Sequence, residues 1–141
     1  MIIRAKLNDH KRTYRDIVVA PYTNIYALAE YSLTSFGFFH DHSFGFYSSP
    51  DVFDSGMDSL HYELFYDIDE EVNEQEGGGV ARNIVEDLFQ ESNQKWWMLF
   101  DYGDDWIFEL ECIDLDAMPD KSGAVVKTNG ESPVQYEPVP E

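Results

Sequence analysis

The sequence is poor in cysteine and in basic residues. It holds one cysteine, Cys112, which excludes an intramolecular disulfide and any zinc site built from several cysteines. Only 9 lysines and arginines stand against 28 aspartates and glutamates, so the formal net charge is −19. Because nucleic-acid-binding proteins usually present a basic patch to the phosphates, we expect no direct binding to DNA or RNA. An acidic surface favours solubility and, for a partner, a protein with a basic surface.

Long apolar runs are also missing. No window approaches the roughly 18 apolar residues of a membrane-spanning helix, and the first residues lack the apolar segment of a signal peptide. We therefore expect a cytoplasmic protein without membrane contact. A chain of 141 residues fits one domain, which we place at 1–136, followed by a flexible, acidic, proline-containing tail at 137–141.

Aromatic residues, in contrast, are abundant, with 10 Phe, 9 Tyr and 3 Trp. They concentrate in residues 96–111, which read WWMLFDYGDDWIFELE. Two strand-like runs flank a Gly-Asp-Asp turn at Gly103, which predicts a β-hairpin with an acidic tip. We expect the rest of the domain to be organised around this hairpin.

Local patterns predict the remaining elements. Alternating residues in 2–7 and a second run at 14–20 predict an N-terminal hairpin. An apolar stripe from 25 to 36, capped by Thr23 or Asn24 and closed by Gly37, predicts a helix. Further predictions are strands at 44–47 and 60–68, a glycine-rich loop at 69–79, a second helix at 80–92 and a short strand at 123–127. Because hairpins dominate, we predict an α+β fold: a mostly antiparallel sheet with two helices packed on it, most simply on one face.

Several sequence blocks resemble one family. They are Tyr14-Arg15, Phe36-Gly37-Phe38 with His42 and Phe46, the block 99–106 (LFDYGDDW), and the block 130–136 (GESPVQY). Over about residues 3–136 the chain resembles the plasmid pRiA4b ORF-3-like family. The resemblance implies one α+β domain, found on plasmids and beside mobile elements and sometimes labelled resolvase-like, with no established activity. The family often carries a His two residues after the Trp of the central block. This chain has Phe108 there, so a metal site that needs this His is not expected.

Carboxylates of the central hairpin form the first candidate site: Asp101, Asp104, Asp105 and Glu109. Clustered carboxylates suit a hard divalent cation. Asp and Gly are equally the residues that tight turns use, and the spacing matches no known metal loop, so turn chemistry is the preferred interpretation. We predict no metal and no cofactor.

Histidines form the second candidate. His40 and His42 would share one side of an extended segment, and His61 could add a third ligand. A structural role for His42, at the junction of helix and strand, is the preferred interpretation. No nucleophile with a neighbouring base, G-x-S-x-G motif or phosphate loop is present, so no catalytic residue is predicted.

The exposed aromatics of the hairpin form the third candidate, because Tyr and Trp anchor protein interfaces. We therefore predict an acidic interaction domain of mobile-element type, a monomer or homodimer, that engages a basic protein partner. Two alternatives stay open: a divalent-metal-dependent phosphoester hydrolase that uses the Asp101–Glu109 cluster, and an acidic inhibitor that mimics nucleic acid. The predicted binding residues are Asp101, Tyr102, Asp104, Asp105, Trp106, Glu109 and His42.

Overall fold

A computed structural model describes residues 1–8, 10–40, 44–49, 61–63, 78–79, 83–101, 106–118, 121–133 and 135. In chain order the elements are β1 (Ile2–Leu7), β2 (His10–Val18), α1 (Ile25–Ser35), β3 (Phe44–Tyr47), β4 (His61–Glu63), β5 (Gly78–Gly79), α2 (Val85–Leu88), β6 (Lys95–Phe100), β7 (Trp106–Asp114) and β8 (Val125–Asn129). These eight strands of the described residues form one sheet in the order β5-β4-β3-β6-β7-β1-β2-β8. All pairs are antiparallel except β4 with β5. The predicted α+β fold with a mostly antiparallel sheet is confirmed.

The central hairpin lies in the middle of this sheet. β6 and β7 pair from Phe100 opposite Trp106 to Lys95 opposite Glu111. β7 also pairs with β1, so that the N-terminal hairpin extends the sheet on one side and β3 extends it on the other. The prediction that the chain is organised around residues 96–111 is therefore confirmed.

Helix α1 begins and ends where its capping residues predict. The Asn24 side chain accepts a hydrogen bond from the Ala27 N–H at 2.8 Å, which satisfies one of the free amides of the first turn. At the other end Gly37 has a φ of +73°. The Gly37 and Phe38 N–H groups donate to the carbonyls of Thr34 and Leu33 at 2.9 and 3.0 Å. This left-handed closure is the Schellman arrangement, which favours glycine because it has no Cβ.

Both helices cover the same face of the sheet, which we call the core face. Strand residues on this face include Ile3, Ala5 and Leu7 of β1, which lie opposite Cys112, Leu110 and Phe108. The buried residues of α1 and α2 join these strand residues in one hydrophobic core. Cys112 is fully buried in this core, and burial raises the pKa of its thiol above its usual range.

The opposite face, which we call the open face, has a different composition. It carries a smaller apolar cluster in which Tyr47 and Leu99 are buried and Trp97 and Ile107 pack against them. The remainder of the open face is a set of charged side chains on neighbouring strands, such as the bidentate pair of Arg4 with Asp16 at 2.8 and 3.1 Å.

The second helix is much shorter than predicted. Periodicity predicted a helix over 80–92, but α2 is limited to Val85–Leu88, and Ile84 and Phe89 have extended backbones. The Ile25 N–H donates to the Asn83 carbonyl and the Val85 N–H donates to the Thr23 carbonyl, at 2.9 and 2.7 Å. These long-range bonds hold Ile84 in an extended bridge with Asn24 and override the helical pattern before Val85. Residues 80–82 lie outside the described part of the chain.

Other differences concern strand boundaries. Gly78–Gly79 pairs with β4, where the sequence predicted a loop, and the strand predicted at 60–68 is described only as His61–Glu63. β2 begins at His10, not at residue 14, and the last strand is Val125–Asn129. Its register with β2 skips Val126, and such a bulge makes a sheet edge a poor template for further pairing. The predicted tail at 137–141 lies outside the described residues. The helices that the structure describes fall short of the length and hydropathy needed to cross a membrane.

Candidate functional site

One end of the sheet brings together the sequence blocks that carry the family resemblance. We call it the motif end and define it as residues 36–40 after α1, Asp101 at the end of β6, Trp106 at the start of β7, and residues 129–135. Phe100 pairs with Trp106 at this end, and the side chain of Gln135 contacts Phe39, 96 positions earlier. Segments far apart in sequence therefore build one local structure.

An aromatic cluster forms the floor of the motif end. The Phe38 ring meets the Trp106 ring edge-on, with centroids 4.9 Å apart, and the Phe108 ring at 5.9 Å. Phe36 packs on Phe108 from the other side at 5.3 Å. Phe108 is fully buried, so the position at which the family often carries His is here an apolar core position.

Arg15 ties the elements of the motif end together. Although it is charged, it points to the core face, opposite Ala5, and is 6% exposed. Its guanidinium donates to the carbonyls of Ser35, Tyr14 and Asn129 at 3.0, 2.9 and 3.0 Å, and to the Ser132 hydroxyl at 3.0 Å. It also stacks over Phe36 at 4.6 Å. Burial lowers the pKa of Arg15 from its usual value, because the charged form loses solvation.

The sequence named Arg15 only as part of the resemblance and assigned it no role. A signal was present, since Arg15 shares its strand face with Ile17 and Val19, both buried. A basic residue in a buried alternating pattern indicates a guanidinium with several internal acceptors.

Gln135 holds the backbone of Phe39 from both sides. Its Oε1 accepts from the Phe39 N–H at 2.7 Å, and its Nε2 donates to the Phe39 carbonyl at 3.2 Å. The Phe39 ring is 70% exposed. The motif end therefore presents an aromatic ring to solvent on a fixed backbone. Sequence reasoning missed this pairing, because nothing local links residues 39 and 135.

The histidines are only partly described. His40 lies against α1, with its Nε2 3.1 Å from the Thr34 hydroxyl and its Nδ1 3.8 Å from a Glu30 carboxylate oxygen. Both ring nitrogens thus face helix side chains. His42 lies outside the described residues, and only the backbone of His61 is described, so the predicted grouping of histidines stays a prediction.

Of the predicted carboxylates, Asp101 lies at the motif end. It is buried, and its φ of +59° is a left-handed conformation that few residues other than glycine adopt. Trp106, across the turn, is half-buried, and its Nε1 is enclosed without a hydrogen-bond partner among the described residues. Tyr102, Asp104 and Asp105 belong to the undescribed part of the turn.

Glu109 lies elsewhere, on the open face. It contacts the ammonium groups of Lys6 and Lys95 at 3.6 and 3.4 Å. It is paired with Trp97, and Asp101 is four positions further along the chain, about 13 Å along an extended strand. The structure therefore does not bring Glu109 together with Asp101. Within the described residues no three His, Cys, Asp or Glu side chains are grouped so as to hold a metal ion.

Opposite charges face one another on the described strands of the open face. By strand register Arg4, Lys6, Lys95 and Lys127 lie there with Asp16, Glu109 and Glu111.

Comparison with known proteins places the chain in a family. A protein of unknown function from Methanosarcina mazei Go1, solved by crystallography, is similar in structure, with a TM-score of 0.68 and 11% sequence identity over 93% of this chain and 69% of that chain. At this identity the similarity shows the fold alone. A search among curated proteins finds no sequence match. The family model described as plasmid pRiA4b ORF-3-like protein matches residues 1–136, and the chain therefore belongs to the plasmid pRiA4b ORF-3-like family.

Proposed function

We propose that this protein is an interaction module that binds a basic segment of a protein partner at the motif end. The observation that carries the proposal is the exposed Phe39 ring, held on a backbone that Gln135 fixes by two hydrogen bonds. An exposed aromatic ring in a fixed position is the kind of group that anchors protein interfaces. Its face also attracts Lys or Arg side chains.

The charge near Phe39 supports a basic partner. The Glu30 side chain is 46% exposed and faces His40, which follows Phe39. A basic peptide would thus meet an aromatic ring and the exposed Glu30 carboxylate, which favours fast, salt-sensitive association.

Rigidity of the motif end supports the same proposal. Arg15 links α1, β2 and the segment after β8 by four hydrogen bonds, so the scaffold below Phe39 is held before any partner arrives. A surface that is fixed in advance loses less conformational entropy on binding.

We further propose that the module acts in the cytoplasm and belongs to a mobile element. The family description, which names a plasmid open reading frame, supports the second part. The metal-dependent hydrolase loses support, because Lys6 and Lys95 already engage Glu109.

Selection from a random-peptide display library tests the proposal. The intact chain should retain peptides richer in Lys and Arg than in Asp and Glu. Phe39→Ser should lower the affinity for the retained peptides at least tenfold, as expected for an interface anchor. Gln135→Ala, which frees the Phe39 backbone but keeps its ring, should lower the affinity less. Val126→Ser, which changes an exposed apolar side chain on β8, is the control and should change nothing. The proposal is refuted if no selected peptide depends on Phe39, or if the selected peptides are acidic.

A further inference from the structure

A cavity lies at the opposite end of the sheet from the motif end, where β1 begins and β2 ends. Its volume is about 300 Å³, and it is lined by Met1, Pro21, Glu86, Phe89, Gln90 and Leu115. We call it the Met1 cavity. It shares no residue with the motif end.

The walls of the Met1 cavity are apolar and tied together. Met1 and Phe89 belong to the hydrophobic core, and Leu115 packs against that core. The Glu86 N–H donates to the Pro21 carbonyl at 3.0 Å, which fixes the start of α2 against the end of β2. The Met1 amine donates to the carbonyls of Val19 and Ala117. The cavity is therefore formed in the free chain.

Two exposed apolar side chains lie close in sequence to lining residues. Tyr22, which follows Pro21, is 76% exposed, and Met118, three residues after Leu115, is 79% exposed. Among the described residues these are the two most exposed large apolar side chains, and exposed apolar side chains are frequent on protein-binding surfaces.

Carboxylates line the rim. Glu86 is exposed in the cavity wall, and Asp114 and Asp116 are exposed on either side of Leu115. The cation among the lining residues is the Met1 amine, which donates to the carbonyls of Val19 and Ala117. Three carboxylates against one amine leave the rim negative, which favours a cationic partner.

We propose that the Met1 cavity docks a basic segment of a protein partner, which inserts one apolar side chain between Phe89 and Leu115 and places Lys or Arg side chains against Glu86, Asp114 and Asp116. A cavity of about 300 Å³ lies at the lower limit of small-molecule pockets, so that it suits one side chain better than a whole ligand. The acidic rim excludes acidic and favours basic segments. This surface is separate from the motif end and stands on its own observations.

A nuclear magnetic resonance titration of the full chain tests this inference. The probe is the peptide Lys-Lys-Gly-Leu-Gly-Lys-Lys, and the matched probe carries Ser in place of Leu. The Leu peptide should shift the amide signals of Glu86, Phe89, Gln90 and Leu115. The Ser peptide should bind at least tenfold more weakly, because burial of a Leu side chain contributes that much or more.

Two charge-reversed variants separate docking from non-specific attraction. Glu86→Lys should weaken the Leu peptide about three- to fivefold, as expected for the loss of an exposed ion pair. Glu111→Lys makes the same charge change on the open face, outside both the Met1 cavity and the motif end, and should leave the affinity unchanged. Equal binding of the two peptides, equal weakening by both variants, or signal shifts confined to other residues would each overturn the inference. None of these outcomes depends on Phe39, so the proposal for the motif end is tested separately.

Discussion

Replacement of Arg15 by Lys tests whether this buried guanidinium holds the motif end together. Arg15 donates through three different nitrogen atoms to four acceptors: three carbonyls and the Ser132 hydroxyl. A Lys side chain keeps the charge but has a single nitrogen, which can replace one guanidinium nitrogen and serve at most two of these acceptors. At least two acceptors then lose their donor in a site where Arg15 is 6% exposed.

The magnitude follows from these lost donors. A hydrogen bond from a charged donor contributes about 1.5–3 kcal/mol, so the loss of two costs about 4 kcal/mol. The stacking of the guanidinium on Phe36 is lost as well. A loss of this size is a large part of the roughly 5–15 kcal/mol by which domains are stable. It should lower the melting temperature by about 12 °C in a chain of this length.

Urea unfolding monitored by tryptophan fluorescence measures this change. The matched control is Arg4→Lys on the neighbouring strand, because Arg4 forms an ion pair with Asp16 and stacks on Tyr14, and a Lys can keep that ion pair. We expect a loss of about 1 kcal/mol for the control. Hydrogen exchange should also show earlier opening of residues 125–133 in Arg15→Lys than in the control. If Arg15→Lys loses no more stability than Arg4→Lys, the assigned role of Arg15 is wrong.

Three further predictions concern two glycine residues with positive φ, the Cys112 thiol and the binding of a divalent metal. Gly130 and Gly37 have φ of +78° and +73°, but an added Cβ meets Thr13 Oγ1 at 2.7 Å only at Gly130. We therefore expect Gly130→Ala to destabilise by about 3 kcal/mol and Gly37→Ala by about 1 kcal/mol, and equal losses in urea unfolding would contradict this. Burial raises the pKa of Cys112, so the folded chain keeps a proton that the unfolded chain releases above about pH 8.5. The contribution of Cys112 to the free energy of unfolding should be complete below that pH and decline above it, and Cys112→Ala should remove this decline. An equal dependence of the free energy of unfolding on pH in the two chains would refute this prediction. Because two lysines hold Glu109, Mg²⁺ or Mn²⁺ should shift the melting temperature equally in the wild type and in Glu109→Gln, and a shift confined to the wild type would restore the metal hypothesis.

Sequence patterns predicted those elements whose signals are local. The alternation in 2–7, the Asn24 cap, the Gly37 closure and the turn at Gly103 each depend on neighbouring residues, and the structure confirms the strands and the helix beside them. The second helix is shorter than predicted because hydrogen bonds with Thr23 and Ile25 hold Ile84 in an extended bridge with Asn24. No pattern within 80–92 contains that information.

The sequence predicted some residues of the candidate site and missed others. Two of the predicted binding residues, Asp101 and Trp106, lie at the motif end, and their role stays a prediction. Glu109 was grouped with Asp101 by closeness in sequence, but the pairing of β7 with β6 and β1 places it between two lysines on the open face. Phe39 and Gln135 were not grouped, because they are 96 positions apart.

The sequence alone determined the family, the α+β fold and the central hairpin, since composition, periodicity and capping act over a few neighbouring residues. Only the tertiary structure decided which side chains meet, because sheet register sets the neighbours of each strand residue. Strand register places Arg15 on the core face and Glu109 on the open face. The path of the chain after β8 places Gln135 against Phe39.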